Sequence, residues 1–187
     1  MTLSGSKTFQ TFFFVINARD GGNFGNWRWI FSGYTDAGNK LSTFFGKNGQ
    51  KTIHIAPGGH KIALNGGSLA VASNSAGASQ SFDPLIEHKI VRVVLNSAAT
   101  RSDWKVATGD SKWHGDIAEI IAFSGTISNR DTKNIEGYLA HKWGLTGSLA
   151  NGHPYKSTTI NQPVVSVDSV GSTSGTASVT KIGRAHV

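Results

Sequence analysis

The spacing of short apolar segments is the sequence feature that most constrains the fold of this chain. Such segments recur about every ten residues and are separated by clusters of Gly, Asn, Asp and Ser, which is typical of an all-β sandwich or barrel. Thr11–Ile16 is apolar on both faces of an extended strand and predicts a strand buried in the middle of the fold. Asn65-Gly66-Gly67 favours positive φ angles and predicts a tight hairpin. Further strands are predicted at Trp27–Phe31, Leu41–Phe45, Lys51–Ile55, His60–Leu64, Leu69–Val71, Ile90–Leu95, Trp104–Val106 and Ile117–Phe123.

One segment departs from the β pattern and carries the signals of a helix. Ser128 is suited to cap the first turn, with Asp131 three residues later, and Gly144 provides a C-terminal stop. We therefore predict one amphipathic helix over Asn129–Trp143, packed through its apolar stripe against the sheets. The apolar positions at helical spacing are Ile135, Tyr138, Leu139 and Trp143. The Gly-rich stretch Leu145–Tyr155 is expected to return over that surface as an ordered loop.

Charge and composition narrow the function classes. The chain has 187 residues, enough for one domain with a core, and its 18 Lys and Arg against 11 Asp and Glu give a net charge of +7. This charge raises nucleic acid, acidic glycans and anionic surfaces as partners, but the basic residues form neither a run nor a stripe, so we do not expect nucleic-acid binding. The absence of cysteine excludes disulfides and thiolate chemistry. The longest apolar run, Phe12–Ile16, is far shorter than the roughly 20 residues of a membrane helix, so membrane insertion is not expected.

Three stretches in fixed order carry a resemblance to a known family. They are WHGDIAEIIAF at Trp113–Phe123, the Ser128 helix ending in IEGYLAHKWGL, and GHPYK at Gly152–Lys156. Together they resemble the C-terminal signature of the concanavalin A-like lectin/glucanase superfamily. They are more closely similar to the laminin G-like domains of bacterial surface proteins and phage structural proteins. The signature positions, for which the expected roles are structural, are Asp116, Glu119, Tyr138, His141, Trp143, Gly144, His153, Pro154 and Tyr155.

The resemblance implies a fold and a biological setting. The implied fold class is all-β: a jelly-roll β-sandwich of two antiparallel sheets with one C-terminal amphipathic helix packed on it. Such domains usually serve as non-catalytic modules that bind glycans or proteins within a larger extracellular polypeptide. We therefore expect an extracellular, cell-surface or virion location, a glycan or cell-surface ligand as partner, and attachment to further domains.

The chain is expected to divide into three parts. Residues 1–156 correspond to the laminin G-like sandwich, which here lacks the N-terminal strand sequence that family domains carry. Residues 157–180 shift to Ser, Thr, Gly and Val and indicate a linker or the start of another module, with a role as the missing strand as the less favoured alternative. Residues 181–187 match the codons AAG ATC GGA AGA GCA CAC GTC, which contain a common sequencing-adapter sequence, so we interpret them as an assembly artefact.

Glycoside hydrolysis is the enzymatic alternative, because the superfamily includes hydrolases. Such enzymes need two carboxylates facing each other across the scissile bond, and the Glu-x-Asp motif of the laminarinase-like family is absent. The nearest approach is Asp116 with Glu119, which point to opposite faces of a regular strand and so cannot form the pair without a bulge. The histidines are scattered singly, and no nucleophile or phosphate-loop motif occurs. We therefore expect no enzymatic activity and keep an unusual glycoside hydrolase as the third hypothesis.

The Gly-rich loop after the first strand holds the best candidates for ligand contact. Glycan sites combine aromatic faces with amides and carboxylates, usually on loops. These groups are supplied by Asp20, Asn23, Asn26 and Trp27, with Tyr34 as a further candidate. Core packing is the alternative role for Trp27. The leading prediction is a non-catalytic carbohydrate-binding or adhesion module, and the second is a structural or protein-interaction spacer of a surface fibre or phage particle.

Calcium is the metal ion that the sequence leaves open, and no cofactor is predicted with certainty. Asp20 and Asn23 in one loop, or Asp36 and Asn39 in the next, offer hard oxygen ligands. Asx residues beside Gly also serve ordinary turns, and we favour that role here.

Overall fold

The protein has a mainly-β fold in which antiparallel strands form two sheets and one helix follows a long strand. A computed structural model describes residues 2–19, 28–34, 40–47, 50–54, 60–71, 87–107, 113–158, 179–182 and 185–186. The strands are β1 (Lys7–Ile16), β2 (Arg28–Tyr34), β3 (Lys40–Lys47), β4 (Gln50–His54), β5 (Lys61–Leu64), β6 (Ala70–Val71), β7 (Lys89–Arg101), β8 (Lys105–Val106), β9 (Asp116–Phe123), β10 (Val179–Ile182) and β11 (Ala185–His186). The helix α1 spans Asn129–Lys142, and a 3-10 helix spans Thr146–Ser148. The predicted mainly-β character with one helix is confirmed.

The central strand of the larger sheet is β1. The strand order of that sheet is β10-β9-β1-β7-β5-β6, and β11 also pairs with β9. β1 pairs antiparallel with β7 on one side and with β9 on the other. Every residue of Thr11–Ile16 is buried, as predicted for a strand covered on both faces.

The two faces of β1 belong to two different apolar clusters. The face toward the smaller sheet carries Phe9, Phe12, Phe14 and Ile16. The face toward α1 carries Phe13 and Val15. Strict alternation would put Phe9 and Phe12 on opposite faces, but a register shift between Phe9 and Thr11 brings both to the same side. One strand therefore supports the packing of both layers.

Aromatic rings join the larger sheet to the smaller one, whose strand order is β4-β3-β2-β8. Phe31 of β2 meets the ring of Phe12 edge-on at 5.4 Å between centroids. Trp104, just before β8, stacks on Phe31 at 5.0 Å, and its Nε1 donates to the carbonyl oxygen of Lys7 at 2.9 Å. Because the indole N–H is satisfied, this large side chain is buried without a polar penalty.

The predicted turn at Asn65-Gly66-Gly67 is present, although the hairpin around it is wider than predicted. Asn65 and Gly66 have φ angles of 47° and 76°, and the N–H of Gly67 donates to the carbonyl oxygen of Leu64 at 2.8 Å. These are the features of a type I′ turn. Pairing between β5 and β6 starts only at Ile62 opposite Ala70.

Beyond Ile62, the end of β5 is paired with β7 alone. Leu64 lies opposite Val91, and the N–H of Asn65 donates to the carbonyl oxygen of Ile90 at 2.8 Å. The side-chain Oδ1 of Asn65 accepts the N–H of Ile90 at 2.9 Å. Asn65 therefore fastens the turn to β7.

The helix is capped as the sequence predicts. Ser128 Oγ accepts the N–H of Asp131 at 3.1 Å. At the other end Gly144 has a φ of 69°, and the N–H of Leu145 donates to the carbonyl oxygen of Ala140 at 2.7 Å, the bond of a Schellman motif. Trp143 is the C-terminal cap, so α1 ends one residue before the predicted boundary.

Helix α1 and the ordered stretch after it cover the second face of the larger sheet. Ile135, Leu139 and Leu149 are buried in one cluster with Phe13 of β1. Leu149 belongs to the predicted ordered loop, which is described as far as residue 158 and which we call the return loop (residues 145–158). The predicted packing of the helix and loop on the sheet is confirmed.

The C-terminal strands lie along β9. Val179 of β10 pairs opposite Phe123, and Ala185 of β11 pairs opposite Ile117, both antiparallel. β10 crosses the boundary predicted between residues 180 and 181. These residues extend the larger sheet beyond β9, and the division of the chain into three parts stays a prediction.

Candidate functional site

The residues predicted to contact a ligand fall largely outside the part of the chain that the structure describes. This holds for Asp20, Asn23, Asn26, Trp27, Asp36 and Asn39. Tyr34 is the last residue of β2, where its backbone pairs with Lys40. The predicted glycan and calcium sites therefore stay predictions. The structure describes the segments that adjoin them in the chain.

The root of the predicted ligand loop is held by the residues that precede β9. The side chain of Trp113 is buried, and its Nε1 donates to the carbonyl oxygen of Asn17 at 2.9 Å. The Oδ1 of Asn17 accepts the N–H of Asp116 at 2.7 Å, and the N–H of Asn17 donates to the carbonyl oxygen of Asp116 at 3.1 Å. Asn17 is thus bound by side chain and backbone together.

Gly115 allows this close approach of two backbone segments. A Cβ atom at Gly115 would overlap the carbonyl oxygen of Asn17 and would lie 2.9 Å from the Cα of Ala18. One residue further, the N–H of Arg19 donates to the carbonyl oxygen of His114 at 3.1 Å. Residues 17–19, which lead into the predicted loop, are therefore fixed on a rigid base. We call this contact between residues 17–19 and 113–116 the loop root.

A charged pair lies at the loop root. Arg19 Nη2 approaches Asp116 Oδ1 at 3.2 Å. Partial burial by itself raises the pKa of Asp116, but hydrogen bonds from Arg19 and Asn17 outweigh it and hold the pKa below its ordinary value. Because both side chains are partly exposed, water screens the pair and its contribution to stability is small.

The expectation that Asp116 and Glu119 point to opposite faces applies to a regular strand, and β9 contains a bulge. The pairing of β1 with β9 shifts register between Val15 opposite Glu119 and Ile16 opposite Ile117, which leaves one extra residue in β9. Ile117 and Ile120 consequently both belong to the cluster between the sheets. Their neighbours Asp116 and Glu119 therefore share the other face, toward α1. The bulge therefore allows Asp116 and Glu119 to lie on the same face of β9, which a regular strand would exclude.

Glu119 forms its side-chain contacts with residues at the C-terminal end of α1. The side chain is buried, and its Oε2 lies 2.7 Å from Lys142 Nζ and accepts the indole N–H of Trp143 at 2.8 Å. Lys142 also donates to the hydroxyl of Tyr138 at 3.0 Å. Burial lowers the pKa of Lys142, but the bonds to Glu119 and Tyr138 raise it further than burial lowers it. The predicted structural role of Trp143, sealing the helix against the sheet, agrees with this contact.

A second buried carboxylate, Glu136, joins four parts of the fold. Arg92 Nε of β7 lies 3.5 Å from Glu136 Oε1, and Lys133 Nζ of α1 lies 3.1 Å from Oε2. His153 Nε2 of the return loop lies 3.2 Å from the same Oε2. Lys133 also donates to the carbonyl oxygen of Gly66 in the turn, at 2.7 Å. We call Arg92, Lys133, Glu136 and His153 the Glu136 cluster.

The electrostatics of the Glu136 cluster keep its histidine neutral. Burial lowers the pKa of His153, repulsion from Lys133 and Arg92 lowers it further, and Glu136 acts in the opposite direction. Burial also lowers the pKa of Arg92, against the attraction of Glu136, but a guanidinium stays charged at neutral pH. The cluster therefore holds one negative and two positive charges at neutral pH.

The other signature residues connect α1 to the return loop. His141 Nε2 lies 3.1 Å from the carbonyl oxygen of Tyr155 and 2.8 Å from that of Thr158. The hydroxyl of Tyr155 donates to Asn134 Oδ1 at 2.6 Å. Pro154 is exposed between His153 and Tyr155. The helix-to-loop role predicted for His141 and His153 agrees with these contacts.

Sequence reasoning missed Arg92, Lys133 and Glu136. A signal was present for two of them, since Arg92 interrupts the apolar run of β7 and Glu136 follows Ile135 on the apolar side of α1. A charged residue at a position that strand or helix periodicity predicts to be buried needs a partner that compensates its charge. Sequence alone does not say which partner, because Arg92 and Glu136 lie far apart in the chain.

Comparisons with known proteins add no identification. No family model, no curated protein and no solved structure matched the chain. In the described ranges, no group of three or more His, Asp or Glu side chains is placed to hold a metal ion. A search of the same residues found no helix with the length and apolar character required to cross a membrane.

Proposed function

We propose that this protein is a non-catalytic carbohydrate-binding or adhesion module with a jelly-roll sandwich fold, carried by a larger extracellular or virion protein. The ligand is a glycan or a cell-surface molecule, and it is contacted by Trp27, Asn26 and Asn23, with Asp20 and Tyr34 beside them. Stacking on the indole and hydrogen bonds from the amides supply the affinity.

The observation that carries this proposal is the loop root. Binding residues are commonly presented by loops that a rigid scaffold positions. Residues 17–19 are bound to residues 113–116 by three hydrogen bonds that involve Asn17 and by one from the N–H of Arg19 to the carbonyl oxygen of His114, and Gly115 packs directly against them. The predicted loop, rich in aromatic and amide groups, follows at the next residue, so its start is anchored to the residues that lead into β9.

The jelly-roll part of the proposal is supported by the layer between the sheets. Phe12 of the larger sheet and Phe31 of the smaller sheet are in ring contact, and both belong to one buried cluster. Two antiparallel sheets that share an apolar layer are the architecture of a sandwich.

A glycan array with and without a calcium chelator tests the binding function. The wild-type protein is compared with Trp27→Ala and with the control Leu69→Ala, which removes an exposed apolar side chain at the turn. We expect Trp27→Ala to weaken binding about tenfold or more, equivalent to about 1.4 kcal/mol, and Leu69→Ala to leave it unchanged. Absence of any glycan binding by the wild-type protein would favour a structural or protein-interaction spacer instead. Loss on chelation would add calcium at Asp20, Asn23 and Asp36.

An unusual glycoside hydrolase is the third hypothesis, after the structural spacer, and the bulge in β9 favours it. The bulge puts Asp116 and Glu119 on the same face, where a general acid and a nucleophile would both have to lie. Against it, Glu119 is buried and paired with Lys142. Release of reducing sugar from β-glucans by the wild-type protein, lost in both Asp116→Asn and Glu119→Gln, would replace the non-catalytic proposal.

A further inference from the structure

The Glu136 cluster contains a histidine that is sealed by the turn at residues 65–67. The side chains of Glu136 and His153 are both 0% exposed. A Cβ atom at Gly66 would lie 2.5 Å from His153 Cδ2 and 3.2 Å from Glu136 Oε2. The turn backbone is therefore in direct contact with the pair, and Gly66 is the residue that permits it.

Hydrogen bonding assigns the tautomer of His153. Its Nδ1 accepts the backbone N–H of Tyr155 at 3.3 Å, so the imidazole proton is on Nε2 and is donated to Glu136 Oε2. A second proton would bind at Nδ1. Protonation of Nδ1 would remove the acceptor for the backbone N–H of Tyr155 and would place two N–H donors, Nδ1–H and the N–H of Tyr155, opposite each other.

The charges around His153 also oppose a second proton. Helix α1 contributes the negative charge of Glu136 and the positive charge of Lys133, and β7 contributes the positive charge of Arg92. The return loop contributes Tyr155, whose ring lies 6.0 Å from that of His153. The turn contributes backbone carbonyls only, from Gly66 to Lys133 and from Gly67 to Arg92. A protonated His153 would raise the net charge of this buried cluster from +1 to +2.

We propose that the Glu136 cluster is an acid-operated latch that holds the turn at residues 65–67, the return loop and helix α1 together at neutral pH and releases them on acidification. The turn and the return loop are joined directly by the N–H of Ala150, which donates to the carbonyl oxygen of Asn65 at 2.8 Å. Opening exposes His153 to water, where its imidazole binds the second proton that is disfavoured in the closed cluster. The surface formed by the turn and the loop thus changes in an acidic environment such as an acidified compartment.

The sign of the effect follows from linkage. The closed state has the lower His153 pKa, so the latch is fully stable above the ordinary value of 6.5 and loses stability as the pH falls below it. One proton is bound on opening, so the opening equilibrium rises about fivefold between pH 6.5 and pH 5.5 and then approaches a slope of about tenfold per pH unit, until the pKa of the closed state is reached.

Hydrogen exchange of the full chain, followed by NMR between pH 7.5 and 5.0, tests the latch. We expect the protection of the Ala150 amide, corrected for the intrinsic exchange rate, to fall about fivefold from pH 6.5 to pH 5.5. The amide of Phe13 in the central strand serves as a reference that reports global opening. A Phe13 profile with the same slope as that of Ala150 would overturn a local latch.

Two variants separate His153 from other titrating groups. His153→Gln should flatten the pH dependence of exchange at Ala150. His141→Gln should keep it, because His141 is a histidine of α1 that contacts the return loop but lies outside the cluster. His60, whose pKa is also lowered by burial, is present in both variants and cancels in the comparison. An unchanged slope in His153→Gln would refute the proposal. If that variant does not fold, the imidazole titration of wild-type His153 decides, because a pKa at or above 6.5 is incompatible with the latch.

Discussion

Gly115→Ala is the perturbation that tests the loop root most directly. The new methyl group would overlap the carbonyl oxygen of Asn17 and would lie 2.9 Å from the Cα of Ala18, both backbone atoms that no rotamer change can move away. The two segments must separate, which strains the bond from Trp113 Nε1 to Asn17 at 2.9 Å and the bond between Asn17 Oδ1 and the N–H of Asp116 at 2.7 Å.

The expected cost can be worked from these contacts. Overpacking a well-filled site costs about 1–3 kcal/mol, and each weakened hydrogen bond contributes about 1 kcal/mol. We therefore expect Gly115→Ala to lower the free energy of unfolding by about 3–5 kcal/mol, equivalent to a fall of about 6–20 °C in Tm for a chain of this size.

Gly125→Ala is the matched control, since it makes the same chemical change where a Cβ atom meets nothing within 4 Å. At such a position the loss of unfolded-state freedom stabilises a protein by up to about 1 kcal/mol. Urea denaturation followed by tryptophan fluorescence measures both variants. A Gly115→Ala variant whose stability lies within about 0.5 kcal/mol of Gly125→Ala would refute the close backbone contact.

Three further predictions concern the helix cap, the buried carboxylate and the core. Ser128→Ala should lower the free energy of unfolding by about 1 kcal/mol, because the N–H of Asp131 loses its acceptor, and the exposed Thr126→Ala nearby should not; equal midpoints in urea for the two variants would contradict the cap. Glu136→Gln should cost about 3–5 kcal/mol, since Arg92 and Lys133 lose the charge that compensates them, and calorimetry showing a Tm equal to the wild type would contradict the buried pairing. Phe12→Ala should cost about 3–5 kcal/mol in chemical denaturation, against less than about 0.5 kcal/mol for the exposed Leu69→Ala, and similar losses in both would mean that the rings of the two sheets do not form the core.

The elements predicted well from sequence are those whose signals lie within a few residues. The Ser128 cap, the Gly144 stop and the positive φ angles at Asn65 and Gly66 each depend on side chains and backbone groups close in the chain. The burial of Thr11–Ile16 on both faces follows from composition alone.

The elements that sequence reasoning missed depend on pairing between distant strands. The bulge of β9 exists only in its register with β1, and it is the exception that the expectation for Asp116 and Glu119 left open. The point at which β5 stops pairing with β6 is likewise set between strands, since beyond Ile62 β5 is paired with β7 alone. Neither feature has a local signal, since the residues at each position are compatible with a regular strand.

The candidate site likewise consists of residues proposed from sequence and of contacts that depend on the folded chain. The ligand residues Asp20, Asn23, Asn26 and Trp27 were proposed from composition, and they stay predictions. The loop root and the Glu136 cluster emerge only when residues from distant parts of the chain are brought together, as with Asn17 and Trp113.

Apolar periodicity and local hydrogen-bonding groups act over a few residues, so the amino-acid sequence alone specifies antiparallel strands with one capped helix. Which charges are buried, and with which partners, depends on the packing of distant segments. Burial of Glu136 requires Arg92, Lys133 and His153 from three elements to converge on one carboxylate. A buried charge is tolerated only when such partners compensate its lost hydration, and that condition is satisfied by the packed fold and by no single segment.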